Sequence, residues 1–363
     1  MFYTKQHENK MLSLNSSHQI LFALVRNLFI PNYSNEFSFL DITEKKWVEI
    51  RKIAISQGLS GVCLDSFDRL PNYNRPNSAI LLPWIGSALA IERTYNVQLM
   101  ALKHLINLMR DNEVCVLLLK GYDLSKYYPV PSHRPCGDID VYLMGDYEKG
   151  NNIIRQLGIS IEHEDDKHCS FVFDGVVIEN HKTLLAINQY AADITSEEQI
   201  SKVKENLDFQ PEGYYTLRPL DNYIFLLRHL ARHFGSEEGY NSRQLLDIVL
   251  FLSKNKRRID KHKLGQCLKE SRMLKMNDLF LSLGFRLFGI DLSEFIFNGV
   301  DERFLHLALL DMFETKDVKH REKDGVLAKC KELFAIRWKY SVLPESFFER
   351  LIMGLKNTIK QGF

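Results

Sequence analysis

Apolar residues recur at mainly helical intervals from Leu12 to about Ile30 and again from Thr43 to about Gln57, which predicts two amino-terminal helices. Prolines and asparagines break the pattern between Asp68 and Ser78, as a loop requires. A longer helix is expected over Ser87–Arg110, where Ile91, Tyr95, Leu99 and Leu102 follow at spacings of four, four and three and so share a face. The character changes at Val114. Val114–Leu119 is an unbroken apolar run suited to a buried strand, and Lys120-Gly121 ends it with a residue able to adopt backbone conformations closed to others.

After a polar stretch carrying Pro129, Pro131 and Pro135, Asp138–Leu143 returns to an extended pattern, so two neighbouring strands would bring Gly121 close to Asp138 and Asp140. Asp146–Leu157 is expected to be helical, although Gly150 weakens it. Cys169–Phe173 and Val176–Glu179 flank Asp174-Gly175, a pair that favours a tight hairpin. From Pro219 onward the pattern is helical, with elements over Asp221–Phe234, Arg243–Ser253, Lys263–Leu274, Asp278–Leu287, Asp301–Phe313 and Pro344–Ile359. The expected class is α+β, a small mixed-sheet core (residues 87–215) between a helical lead-in (1–86) and a helical carboxy-terminal domain (216–363).

Composition narrows the picture. An apolar content of 45% supports a substantial core, and 47 Lys and Arg against 46 Asp and Glu give no general drive toward nucleic acid or an anionic membrane. The six cysteines are dispersed without a CxxC pair, which favours reduced thiols and a cytoplasmic setting. Polar residues interrupt the segment after Lys5 and Lys10 before it becomes a signal core, and the apolar stretch Leu279–Leu292 contains Arg286 and Asp291 and is too short to insert in a membrane.

The candidate chemistry centres on Gly137-Asp138-Ile139-Asp140-Val141. Side-chain direction repeats every two residues along a strand, so both carboxylates point to one side and suit a divalent cation. Taken alone, an Asp-Ile-Asp segment is more often a solvated edge strand or turn. Glu179, on the later hairpin, is the third carboxylate of the candidate group. Gly121 suits a close backbone approach to phosphate. Lys120 is a candidate for contacting a triphosphate or orienting a carboxylate, and Arg134, with its forked guanidinium, for holding phosphate. His181 shares the Glu179 face if the strand continues, and His229 and His233 lie one helical turn apart. These three histidines are candidate acceptor or phosphate contacts, with packing as the plainer explanation. The basic runs Lys254–Lys263 and Lys316–Lys323 are interspersed with or bordered by acids and read equally as solvated faces.

The segments Leu117-Leu118-Leu119-Lys120-Gly121, Tyr127-Tyr128-Pro129 and Arg134-Pro135-Cys136-Gly137-Asp138-Ile139-Asp140-Val141 resemble the core of a bacterial uncharacterised nucleotidyltransferase-like group within the DNA polymerase beta-like superfamily. Val177-Ile178-Glu179-Asn180-His181 is similar to its later acidic motif, and Leu226–His233 with Arg243–Asp247 to its helical region. The likeness runs from about Leu89 to the carboxy terminus. It implies that Asp138, Asp140 and Glu179 hold Mg²⁺ and act in catalysis, that Lys120, Gly121, Arg134 and Gly137 contact a nucleoside triphosphate such as ATP, and that a nucleoside monophosphate passes to a hydroxyl of a small molecule, a protein or RNA. The superfamily's usual Gly-Gly or Gly-Ser is here Gly121-Tyr122, so a serine-to-phosphate contact does not carry over. A scaffold that binds nucleotide without turnover, in a regulatory or antitoxin-like role, is the alternative.

Overall fold

The computed structural model describes residues 14–31, 33, 42–71, 75–185, 191–201, 207–236, 239–313 and 336–352. Helices α1 (Ser16–Phe29), α2 (Glu44–Ser56) and α3 (Ser60–Phe67) come first. Asn15 and Thr43 start α1 and α2, their side chains accepting hydrogen bonds from the amides of His18 and Lys46. The next helix, α4 (Ser78–Asp111), begins well before the expected Ser87. Asn77 caps it through the Ile80 amide, and Pro83 removes only its own ladder bond instead of ending the helix.

Among the described residues, seven short strands form one mixed sheet: β1 (Leu117–Leu118), β2 (Ile139–Tyr142), β3 (His163–Glu164), β4 (His168–Phe173), β5 (Val176–His181), β6 (Asp208–Phe209) and β7 (Tyr215–Thr216), in the order β3-β4-β5-β2-β1-β7-β6. Of the apolar run Val114–Leu119, only Leu117 and Leu118 pair as a strand, antiparallel to β2. The hairpin joining β4 and β5 turns at Asp174 and Gly175, both at positive φ (49° and 76°), as a tight two-residue turn demands. Strand β2 runs parallel to β5, with Asp140 opposite Glu179 and Tyr142 opposite His181.

Strand alternation separates the two faces of the sheet. Ile139, Val141, Ile178, Phe171 and Phe173 join a buried cluster with Ala101, Leu105 and Met109 of α4 and with Ile153 and Ile154 of α6 (Tyr147–Gln156). Each such burial contributes about 1.5–3 kcal/mol. Asp138, Asp140, Glu179 and His181 therefore lie on the opposite side, beside helices that follow the sheet.

Those helices are α7 (Ala191–Ser201), α8 (Pro219–Gly235), α9 (Ser242–Asn255), α10 (Lys261–Glu270), α11 (Leu274–Phe288) and α12 (Glu302–Phe313); a single turn, α5 (Tyr122–Ser125), follows β1. A second cluster packs Phe22, Leu24, Trp47 and Trp84 of the leading helices with Phe225, Phe251, Phe280 and Phe288. Arg26 reinforces it by donating to the Leu287 carbonyl at 3.2 Å, and Gln57 by donating to that of Met312 at 3.2 Å. Lead-in and carboxy-terminal helices thus share one core. Of the expected helix Pro344–Ile359, residues beyond 352 lie outside the described ones, as does the run Lys316–Lys323. No helix among the described residues is long and apolar enough to cross a membrane.

Pro219 at the start of α8 fits a position whose N–H would be unbonded anyway. Asp221, in the first turn, is buried, and burial pushes its carboxyl up to about 6 against the pull of Arg218, from an ordinary 3.8. The folded protein therefore binds this proton more tightly than the unfolded chain, and its contribution is fully present below about pH 4 and lost as pH rises through about 6. Asp221→Asn is expected to stabilise the protein at pH 7 by about 1–2 kcal/mol, after allowing for the lost helix-dipole interaction, and by nothing at pH 3.5. Thermal midpoints of both proteins across that range check this; a gain of equal size at both ends would contradict it.

Candidate active site

Asp140 is the most enclosed member of the acidic group, with 1% of its surface exposed at the centre of β2. Its Oδ1 accepts from Lys120 Nζ at 3.0 Å and lies 3.0 Å from His181 Nε2. Its Oδ2 is buried with no hydrogen-bond partner. Glu179 comes from the register neighbour on β5: its Oε2 lies 3.6 Å from His181 Nε2 and its Oε1 lies 3.4 Å from His168 Nε2. The side chains of Asp138 and Glu179 are close enough to hydrogen-bond. The three carboxyl groups therefore converge, and Asp140, Glu179 and His181 each present a ligand atom within 4.8 Å of the others.

Charge is unequally distributed over this cluster. Burial and the neighbouring Asp140 carboxylate push Asp138 up to about 6, against Lys120 and with a further push from Glu179. Burial also opposes ionisation of Asp140, but Lys120 and His181 prevail and hold it below the ordinary carboxylate range. Hydrogen bonds from His168 and then His181 hold Glu179 low as well. For Lys120 and His181, burial disfavours the charged form, yet the surrounding carboxylates raise both. The raised Asp138 carboxyl and the unpartnered Asp140 Oδ2 are both features that a cation placed there would relieve.

Gly121 closes the site from the β1 side. It sits at φ 67° and ψ −106°, where a side chain is strained, and a Cβ there would lie 3.5 Å from the Asp138 carbonyl. The exposed Gly137 is tied to α4, its carbonyl accepting from Gln98 Nε2. Lys120 lies within the group, its Nζ paired with Asp140 Oδ1.

Arg134 requires correction. It is 2% exposed and forms a bidentate pair with Asp247 of α9, Nε to Oδ1 at 2.7 Å and Nη2 to Oδ2 at 2.8 Å. Tyr128 also donates to that carboxylate, at 2.6 Å. A fork committed to a buried carboxylate has no free face for phosphate, so Arg134 ties the loop before β2 to the helical body instead.

His229 and His233 face each other across one turn of α8, Nε2 to Nε2 at 3.1 Å. Burial first, and then the charge of Lys120, push His229 well below the usual imidazole range, which keeps it neutral beside the cations of the site. Neither histidine is among the described groups able to hold a metal ion.

Two neighbours were not anticipated. His168 stands opposite His181 across the hairpin, their rings stacked at 5.4 Å, and bears on Glu179. Lys167 is lowered by burial and then by the charge of Lys120, with Asp140 and Glu179 acting in the other direction. The register of a hairpin turning at Asp174-Gly175 would have placed His168 there; the expected strand stopped at Cys169. A cavity lined by Arg303, Phe304, Trp338 and Phe347 shares no residue with this site.

The model of a family described as uncharacterised nucleotidyltransferase matches residues 43–289. The chain belongs to this family. No curated protein and no solved structure matches it. Membership of the uncharacterised nucleotidyltransferases supports nucleotidyl transfer in general and a nucleotide substrate. The matched span contains every residue of the acidic group, the Gly121 turn and α8, and extends over the leading helices from residue 43.

Proposed function

We propose that this protein transfers a nucleoside monophosphate from a nucleoside triphosphate to a hydroxyl acceptor, with a divalent cation such as Mg²⁺ at the acidic group. The observation that carries the reading is the convergence of Asp138, Asp140 and Glu179 on one sheet face beside the Gly121 turn. Asp140 and Glu179, joined by Asp138, would hold the cation, and the unpartnered Asp140 Oδ2 fits that role. When bound, the cation offsets charge developing on the triphosphate.

The protein's own groups do the rest. Gly121 lets the backbone approach the phosphates, Lys120 fixes the Asp140 carboxylate, and His168 and His181 keep Glu179 ionised and oriented. Lys167, near enough to Lys120, Asp140 and Glu179 to feel their charges, supplies positive charge for the phosphates. An acceptor oxygen attacks the α-phosphorus in line; a bond from that oxygen to phosphorus forms, the bond to the bridging oxygen breaks and pyrophosphate leaves. The acceptor's proton passes to the acidic group.

Nucleotide binding tests this without knowledge of the acceptor. At millimolar Mg²⁺, at least one nucleoside triphosphate is expected to raise the thermal midpoint by several degrees, and addition of a chelator to abolish the shift. The absence of a shift with all four ribonucleotides would overturn the reading. Binding without label transfer from an α-labelled nucleotide to any of a broad acceptor panel would favour the regulatory alternative.

A further inference from the structure

The donor set of the site differs from one built for Mg²⁺ alone. Mg²⁺ is held by oxygen ligands and water, whereas an imidazole nitrogen suits first-row transition ions. Here the atoms still open to a cation are sorted by the hydrogen bonds around them. Glu179 Oε1 is held toward His168, at 3.4 Å, which leaves Oε2 facing His181. Asp140 Oδ1 is held by Lys120, which leaves Oδ2 buried and unpartnered. His181 is 1% exposed, and its Nε2 is directed between those two carboxylates, 3.0 Å from one and 3.6 Å from the other; a cation entering there takes the place of the Nε2 proton, which is released on binding.

Resting on the reading of the acidic group as a cation site, we propose that Asp140, Glu179 and His181 form a mixed oxygen and nitrogen site for a divalent first-row transition ion, with His181 Nε2 as a direct ligand. Ligand atoms within 4.8 Å of one another can surround one ion at the usual bond lengths of about 2.0–2.3 Å. The stacked His168 acts as a positioning residue, holding Glu179 from its other oxygen. Such second contacts typically govern metal affinity by about 10–100-fold.

The test is electron spin-echo spectroscopy of Mn²⁺ added to the full-length protein, in natural abundance and with ¹⁵N-labelled histidine. Directly bound imidazole gives a nitrogen modulation that changes on labelling, and this readout needs no turnover and no variant. His181→Gln is expected to remove the modulation and to weaken Mn²⁺ binding at least tenfold; His168→Gln is expected to keep the modulation. Mn²⁺ bound without nitrogen modulation would overturn the nitrogen ligand and leave the carboxylate site standing. Persistence of the modulation in His181→Gln would overturn its assignment to His181. Failure to bind Mn²⁺ at all would overturn both this inference and the reading beneath it.

Discussion

Asp140→Asn is expected to lower nucleotidyl transfer by about 10³-fold or more, about 4 kcal/mol at the transition state, while leaving the fold intact. The substitution removes one negative charge at nearly constant volume from the best-enclosed position of the group, where water cannot replace it. Removing one partner of a buried ion pair ordinarily costs about 3–5 kcal/mol of stability. The cost here is expected to be smaller. Asp138 and Glu179 also act on Lys120, and with 17% of its side chain exposed the lysine reaches solvent. Loss of the Asp140 charge also relieves the crowding that raises Asp138. Turnover with labelled nucleotide and a urea melt on the same preparation measure the two effects; activity within threefold of the parent in a folded variant would remove Asp140 from the chemistry.

The second large effect falls outside the acidic group. Arg134→Ala is expected to destabilise the protein by about 3–5 kcal/mol, because it strands the Asp247 carboxylate, 5% exposed, with only Tyr128 and the more distant Arg243 as partners. Combining it with Asp247→Asn should cost clearly less than the sum of the two single changes, the mark of a direct pair. Triphosphate affinity in the fraction that remains folded is expected to change less than threefold. Denaturant melts and nucleotide titrations check both parts. A stability loss under 1 kcal/mol with tenfold weaker nucleotide binding would restore the phosphate role that Arg134 lacks in the structure.

The two effects separate what was legible in the sequence from what was not. Period-two alternation was enough to put Asp138 and Asp140 on one side of a strand, and Asp174-Gly175 marked the hairpin that carries Glu179. Which residue of β5 stands beside Asp140 is a matter of parallel register between strands 39 residues apart, and no local pattern encodes it. The same holds for Arg134 and Asp247, which are 113 positions apart: a forked cation reads as a phosphate ligand until its buried partner is known. His168 was within reach, since the turn fixes its pairing with His181, but the polar residues Asp165 to His168 masked the start of β4. The start of α4 at Ser78 lay ahead of the spacing that marked the helix, where a cap at Asn77 and packing of the long helix outweigh the one hydrogen bond missing at Pro83. The sharing of one apolar core by the first and last helices is likewise a tertiary fact, invisible to periodicity.

The most direct measurement is a crystal structure grown with Mn²⁺ and a non-hydrolysable nucleoside triphosphate, with anomalous scattering used to place the metal. An anomalous peak is expected about 2.0–2.4 Å from carboxylate oxygens of both Asp140 and Glu179, with triphosphate oxygens completing the coordination beside Gly121. A nucleotide bound elsewhere on the protein, or a metal that leaves those two carboxylates untouched, would contradict it.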